Sequence, residues 1–525
     1  MLSSAEQAAD NGAYASLFFV DEGIFADPSD PTTKNKHRFE QSITLSKLLY
    51  FLREHDPVAA ASYWADHIEA ERPTNVQQLL HCFSTAIASI DHLLNLQVNA
   101  ILHHASLQQL EASWRGILYL LEQTELHDRE QKVKVKLLPL NWNELSRDLN
   151  RAIDFDQSEF FKLIYENEFD MPGGEPFGVL IGDYQLSHTI RPGQMYHDLD
   201  ILKEIAKVSA AAFAPFISAV DSAFFGINNF SELGQVHDIS SQFKQPEYIR
   251  WQQLREMEDT RFLGLVMPQV LMRAPYLDNG TRSDQFRFKE QLTDQEQDYL
   301  WGNAGYALAA VLVRAFSESG WFAQIRGMKP GHYNFGVVNE LPRCNYNTDL
   351  HRQRSQPSVN LQIGHRFESE LADNGFIPLC AVPYSDIYAF YSNSSVQKTK
   401  RYDTATADVN ARLSSMLQHI LCVSRFAHYI KVIGRDKVGG YQTAKECEQD
   451  LQRWLYQYTT ATDDASNEIR ARHPLRNAQI QVREKPGEPG KYYSIIHLQP
   501  HFQLEQMLTT VKLVAELSPQ QSNKR

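Results

Sequence analysis

Two glycine-bearing loops are where this chain comes nearest to a nucleotide-binding signature. Gly434 to Gly440 reads GRDKVGG, and Gly173 to Gly178 reads GGEPFG. A phosphate loop works because backbone N–H groups cradle the phosphates while a Lys and a Ser or Thr reach phosphate and Mg²⁺. Neither loop ends in Gly-Lys-Ser/Thr, and the first follows an apolar helical stretch where a phosphate loop follows a strand. Both read as turns. Histidine pairs occur at His103/His104 and His497/His501. Two positions four apart on a strand share a face but lie about 13 Å apart, too far to clasp one metal ion. There is no H-E-x-x-H and no G-x-S-x-G, so neither a zinc-peptidase helix nor a nucleophile elbow is written here. Carboxylates are plentiful, but no spacing marks two of them as acid and base. The sequence assigns no catalytic residue, metal ligand or cofactor, which speaks against motif-bearing enzymes only.

The elements that would position such groups belong to a globular chain. At 525 residues, with 43% apolar and 11% aromatic residues, there is material for several cores. Length alone suggests roughly two to four domains. The 51 Lys and Arg against 64 Asp and Glu give a net charge of −13. That charge repels nucleic acid and anionic membrane at long range and favours protein partners. Cys82, Cys344, Cys380, Cys422 and Cys447 are odd in number, dispersed and never C-x-x-C. They read as reduced, buried thiols of a cytosolic protein. The N-terminus lacks a basic, then apolar, leader, and no segment reaches the ~20 apolar residues of a membrane span.

Along the chain, residues 1–75 read as an arm: an apolar segment from Tyr14 to Phe25, a Pro-broken linker, and a helix from Ser42 to Arg53. From Val76, Leu79, Leu80, Phe83, Ile87, Ile90, Leu93, Leu94, Val98 and Ile101 repeat at helical spacing. After a break near His104–Ser106, Leu110, Trp114, Ile117, Leu118 and Leu121 continue the pattern. The stripe is too wide for a strict heptad seam, so packing on the helices' own domain is expected. Val133 to Leu138 alternates as a strand with Lys132, Lys134 and Lys136 on one face, read as a solvated face in preference to a phosphate stripe. Strands at Gly173–Tyr184, Pro215–Val220 and Arg261–Met267 alternate with helices at Asp198–Ala212 and Asn303–Glu318. That alternation predicts an α/β (mixed α+β) fold. Further strands are predicted at Ile377–Pro383 and Ile387–Tyr391, and helices at Ala407–Ile433 and Ala444–Tyr458. At the C-terminus, Ala478–Glu484, a KPGEPG turn and Tyr492–Leu498 form a predicted hairpin carrying Ile480, Val482, Tyr493, Ile495 and His497. A last strand follows at Thr509–Leu517.

Taken in order, these segments resemble a known family, the large contractile-sheath subunits of the bacterial type VI secretion system (TssC/VipB/ImpC proteins). The carriers are LEASWRGILYLL (Leu110–Leu121), GGEPFGVLIGDY (Gly173–Tyr184), APFISAVDSAFFG (Ala214–Gly226) and WQQLREMEDTRFLGLVMPQVLMRAPY (Trp251–Tyr276). They continue with YLWGNAGYAL (Tyr299–Leu308), FYSNSSVQK (Phe390–Lys398), RFAHYIKVIGRDKVG (Arg425–Gly439) and the run from His473 to Glu505. The resemblance spans about residues 76–517; residues 1–75 depart from it.

The resemblance implies a structural, non-enzymatic role without cofactors, in a multi-domain fold whose C-terminal part is similar to phage tail sheath proteins. It implies pairing with a small sheath subunit (TssB/VipA-like) and self-association into a helical polymer around an inner tube protein. Assembly at a baseplate, contraction, and recycling by a AAA+ unfoldase are also implied, in the bacterial cytoplasm, with no nucleic acid and no membrane insertion. The expected parts are an arm (1–75), a large sheath domain (76–390) and a C-terminal domain (391–525). The inter-subunit strand is expected at Thr509, Thr510, Val511, Lys512, Leu513, Val514, Ala515, Glu516 and Leu517. In relatives an N-terminal helix is the unfoldase handle and an extended N-terminal segment joins a neighbour's sheet; Leu17, Phe18, Phe19 and Val20 are the candidates for either role. The competing readings are a cytosolic α/β enzyme with an unrecognised site and a baseplate-associated scaffold.

Overall fold

The computed structural model describes residues 45–501 apart from 68–74, 172, 237, 279, 281–285, 293–297, 329–333, 345–356, 383, 384, 386, 401, 405–410, 437–443, 461, 463–465 and 485–491. The principal helices are α1 (Leu45–Arg53), α2 (Pro57–His67), α3 (Val76–Leu102), α4 (Ala105–His127), α5 (Trp142–Arg151) and α6 (Asp198–Ala212). They continue with α7 (Ile249–Glu256), α8 (Gly305–Ser319), α9 (His365–Asp373), α10 (Leu417–Asp436), α11 (Ala444–Tyr456) and α12 (Asn467–Arg472). The strands are β1 (Leu180–Leu186), β2 (Phe216–Val220), β3 (Leu263–Met267), β4 (Val270–Leu271) and β5 (Trp301–Gly302). After these come β6 (Val337–Val338), β7 (Ile377–Ala381), β8 (Tyr388–Phe390), β9 (Leu475–Glu484) and β10 (Tyr492–Pro500).

Two bodies form, the first from residues up to Ala100 with Leu277–Lys289, the second from Ile101–Tyr276 and the chain from Glu290 onward. In the first, Trp64 and Ala86 are buried with Phe51 and Phe83 packed against them. The Asn95 side chain there accepts from the Lys289 N–H (3.1 Å) and donates to the Arg287 carbonyl (3.0 Å), holding the returning segment on α3.

The second body is built on the predicted α/β alternation. Its central sheet runs β1-β2-β3-β7-β8-β6, parallel through β7 and antiparallel beyond it. β2 and β3 are buried throughout, as expected for parallel strands covered on both faces. One face carries α6 and α7 through Ile201, Ile205 and Trp251. The other carries α8, whose residues from Gly305 to Ala315 are all buried. A helix buried all round needs a second neighbour, and α4 supplies it through Ala112, Gly116 and Leu120. Gly116 permits this approach, because a Cβ there would run into the Tyr306 ring.

Two sequence expectations are corrected. Val133–Leu138 forms no strand, and the lysines of the 132–136 stretch meet carboxylates: Lys132–Glu130 at 2.6 Å, Lys134–Glu175 at 2.5 Å, and Lys136 with Glu168. The alternation is there in the sequence, but among the described residues no strand pairs with this segment. The helix expected over Ala407–Ile433 begins at Leu417, because Met416 makes an antiparallel bridge with Ser394 and interrupts it. Leu413 therefore falls outside that helix. Residues 405–410 lie outside the described residues.

Candidate assembly surface

The C-terminal hairpin stands on its own core. Trp321 stacks on Phe426 of α10 at 4.0 Å between ring centroids. Around that pair Cys422, Ile430, Leu451, Leu455, Leu475, Ala478 and Ile480 are buried, with Val482, Ile496 and Leu498 packed against them. β9 and β10 pair antiparallel, with Ile480 opposite Ile496 and Ala478 opposite Leu498. Side chains alternate across a strand, so Ile480 and Val482 face this core. Tyr493, Ile495 and His497 take the opposite register, across from Arg483, Gln481 and Gln479. The hairpin residues singled out from sequence thus divide between two faces. Thr509–Leu517 and Leu17–Val20 lie outside the described residues.

The two edges of the hairpin are not equivalent. α11 runs beside the edge of β9 and is hydrogen-bonded to it through side chains. Gln452 Oε1 accepts from the Ile480 N–H (2.9 Å), its Nε2 donates to the Ala478 carbonyl (2.8 Å), and Glu448 Oε2 accepts from the Val482 N–H (2.9 Å). An open groove of about 560 Å³ lies alongside, lined by Glu448, Gln452, Tyr456 and residues 477–483. These contacts also fix the ladder's parity: since Ile480 and Val482 point away from β10, their partners Ile496 and Ser494 point away from β9. Among the described residues, the outward N–H and C=O groups of Ser494, Ile496 and Leu498 have no backbone partner.

Two helices also carry apolar faces that their own body leaves open. On α4, opposite the face packed on α8, Leu110, Trp114, Leu118 and Leu121 form a stripe, with Trp114 61% exposed. On α3, Leu80, Ile87, Leu94 and Ile101 recur every seventh residue and are exposed, joined by Val76 and Ile90. The sequence reading expected these stripes to be covered at home. Only part of each is: Phe83 packs on Trp64 and Ala86, and Ile117 on the core of the second body, whereas the residues just named stay open; the seven-residue recurrence on α3 is the spacing of a helix–helix seam.

Titratable groups away from the hairpin are structural. Glu290 accepts from Arg273 Nη1 (2.6 Å) and Nη2 (3.1 Å) and from the Tyr276 N–H (2.9 Å), and lies 3.2 Å from His103 Nε2. Burial pulls its pKa upward, but Arg273, the Tyr276 N–H and His103 outweigh it and hold the carboxyl below the usual range. Arg273 also reaches Glu111 Oε1 (2.8 Å), which Arg115 shares (2.7 Å). His428 is buried against Phe169, its Nε2 2.9 Å from the Ala212 carbonyl, and burial brings its pKa down to about 4. His104 caps α4, so neither histidine of the 103/104 pair is poised for chemistry. Gly434–Asp436 ends α10, and the remainder of GRDKVGG lies outside the described residues. Among the described residues no cluster of His, Cys, Asp and Glu could hold a metal ion, and no helix is long and apolar enough to cross a membrane.

Glu448, Gln452, Arg273 and Glu290 were not singled out from sequence. The first two carry a legible signal, a polar pair four apart on a helix preceding a hairpin, which gains meaning only once β9 is beside it. The latter two are distant from Glu111 and His103 in sequence and carry none.

Residues 84–397 match the family model for the tail sheath N-terminal domain of EvpB/VC_A0108, and residues 406–517 match its tail sheath gpW/gp25-like domain. The type VI secretion system sheath protein TssC1 of Pseudomonas aeruginosa is 37% identical over 457 residues, covering 86% of this chain and 89% of that relative. Among solved structures, a chain of the anti-feeding prophage baseplate aligns at 10% identity and TM-score 0.32, over 61% of this chain and 66% of its own. A chain of the contracted helical sheath of the same particle aligns at the same identity and score, over 60% and 67%. Both are too distant for fold or function to be carried over.

Proposed function

This chain belongs to the family of large subunits of the type VI secretion contractile sheath, and from that premise we propose that it pairs with a smaller sheath subunit and polymerises with it into a helical tube. The tube surrounds an inner tube protein, grows from a baseplate in the bacterial cytoplasm, and contracts to drive the inner tube outward. The chain is a structural protein and not an enzyme. What supports co-assembly most directly is the C-terminal hairpin with an open strand edge, standing on a rigid aromatic core. The exposed stripes on α3 and α4 add surface for the smaller subunit.

A tube that does not close on itself needs head-to-tail contacts between different surfaces of one unit. Strand addition supplies them through backbone hydrogen bonds. In this reading residues 391–525 form the lattice-linking part, and Thr509–Leu517 is the strand that crosses to a neighbouring copy. Residues 1–75 form an arm in which Leu17–Val20 serve either as a second exchanged strand or as the handle for a AAA+ unfoldase. Contraction requires no cofactor: a metastable packing relaxes to one that buries more surface. A gain of about 1 kcal/mol per subunit, the scale of one net hydrogen bond, sums along the polymer. Co-expression with the smaller subunit and electron microscopy test the reading. Long tubules with cogwheel cross-sections are expected; discrete small particles alone would overturn it.

A further inference from the structure

The chain passes between its two bodies three times, at Ala100/Ile101, Tyr276/Leu277 and Lys289/Glu290. On the second body's side, every passage is tied to one buried carboxylate. Past the first, His103 Nε2 lies 3.2 Å from Glu290 Oε1. Before the second, the Tyr276 N–H donates to Glu290 Oε2 (2.9 Å) and Arg273 forks onto both oxygens (2.6 and 3.1 Å). At the third, Glu290 itself re-enters, and its N–H donates to the Tyr276 carbonyl (3.0 Å). Tyr276 and Glu290 are thus joined twice, and the root of the 277–289 excursion is closed from within the second body. Two further groups tie that root to α4. Arg273 Nε reaches Glu111 Oε1 (2.8 Å), which also accepts from Arg115 Nε (2.7 Å), and Arg115 Nη2 donates to the Tyr276 hydroxyl (3.0 Å). The Arg273 guanidinium lies over the Tyr276 ring, 4.3 Å from its centroid.

Arg115 and Arg273 balance Glu111 and Glu290, so the formal charges cancel where the Glu290 side chain is buried. A buried ion pair loses heavily when one partner goes, and linked polar groups strengthen one another. The set therefore holds or fails as a whole. The first body is held more lightly. Its described core consists of Trp64 and Ala86 with Phe51 and Phe83 against them, and its returning segment is bonded to α3 through Asn95. α4, for its part, does not need α3 in order to begin. His104 caps it, accepting from the Ser106 N–H (3.3 Å), and Ala112 and Gly116 pack it on α8. Parts of a protein with few buried apolar contacts open at lower free energy than its main core, in contiguous cooperative units. We propose that the cluster around Glu290 is a clasp that sets the limit of such a unit: the first body comes apart and re-forms up to the clasp while the second stays folded. The clasp works in the single chain and does not depend on tube formation.

Native-state hydrogen exchange of the full chain, in the form in which it purifies and at rising sub-denaturing urea, reads the boundary. Amides of α3 up to Ala100 and the Lys289 amide should exchange through one shared opening. Their exchange should be at least ~100-fold faster than that of α8 and of α4 beyond Leu107. Arg273→Met/Glu290→Leu separates the clasp from stability at large, because it leaves no charge buried. Its α8 amides should stay within about tenfold of wild type, whereas those from Gln108 to Arg115 should join the faster class. His103→Phe should loosen the first passage alone, raising exchange at Ile101–His103 about tenfold, the scale of one net hydrogen bond. Amides of α3 and α8 exchanging through one common opening in the wild type would show a single cooperative unit and overturn the proposal. A double variant whose fast class still ends at Ala100 would show that the clasp does not set the limit, and would overturn it as well. If the double variant fails to fold, the wild-type pattern and His103→Phe decide, and unchanged exchange at Ile101–His103 would refute the tie at the first passage.

Discussion

Replacing Arg273 with Met should destabilise the second body because it strands a buried charge. The Glu290 side chain is 2% exposed and spends two oxygens on Arg273, at 2.6 and 3.1 Å. The Tyr276 N–H and His103 remain in the variant, which places the loss at the lower end of the range for breaking a buried pair, about 3 kcal/mol. In a body of this size that lowers Tm by something on the order of 5 °C. The pH dependence sharpens the test. In the wild type the Glu290 pKa is held down, so its contribution is present above the unfolded value near about 4.3 and lost as pH falls through the folded one. Without Arg273, burial dominates and the folded pKa rises above that reference. The penalty is then full at pH 7.5 and shrinks as the carboxyl takes up its proton toward pH 4.5. Urea unfolding followed by tryptophan fluorescence at both pH values measures the gap. Arg273→Met/Glu290→Leu should recover much of the loss, since no charge is left buried. A variant within ~1 kcal/mol of wild type at pH 7.5, or an equal gap at both pH values, would refute the reasoning.

Three further outcomes follow from the described contacts. Gly116→Ala should push α4 from Tyr306 and cost about 2 kcal/mol, read as a lower urea midpoint. His428 is neutral in the fold with a pKa near 4, so stability is complete above about pH 6.5 and declines as pH falls toward 4. His428→Phe should flatten that part of the pH–stability profile, and an unchanged slope would count against it. Trp114→Ser/Leu118→Ser, on the open side of α4, should leave thermal stability nearly unchanged yet reduce co-purification of the smaller subunit about tenfold or more; unaltered recovery would remove this stripe from the interface.

Much of the second body was legible because its signals are local. Asp198–Ala212 was bounded correctly by its apolar period, and β2 and β3 by short apolar runs between turn residues. The hairpin was legible from alternation on both sides of a Gly/Pro turn, and β9 extends three residues earlier than alternation alone marked, to Leu475. The failures share a cause. Val133–Leu138 alternates like a strand, but a strand exists only where another edge meets it, and that is set by distant chain. The interruption at Met416 is imposed by Ser394, which no pattern around residue 416 announces. The stripes on α3 and α4 were visible as apolar, yet whether a stripe is buried depends on what faces it. The unequal edges of the hairpin were illegible for the same reason, since Gln452 and Ile480 become informative only as a pair.

α4 is apolar on two opposite sides, one spent on α8 and the other unspent. Under the proposed pairing, the smaller subunit would cover that open side, and the chain's solubility should then depend on how much of it is present. Overproduced alone, the chain should precipitate or recruit chaperones, whereas matched synthesis of both subunits should keep it in solution. In that reading, the open apolar side that would hold a lattice together also ties the chain's folding yield to the ratio in which the two subunits are made.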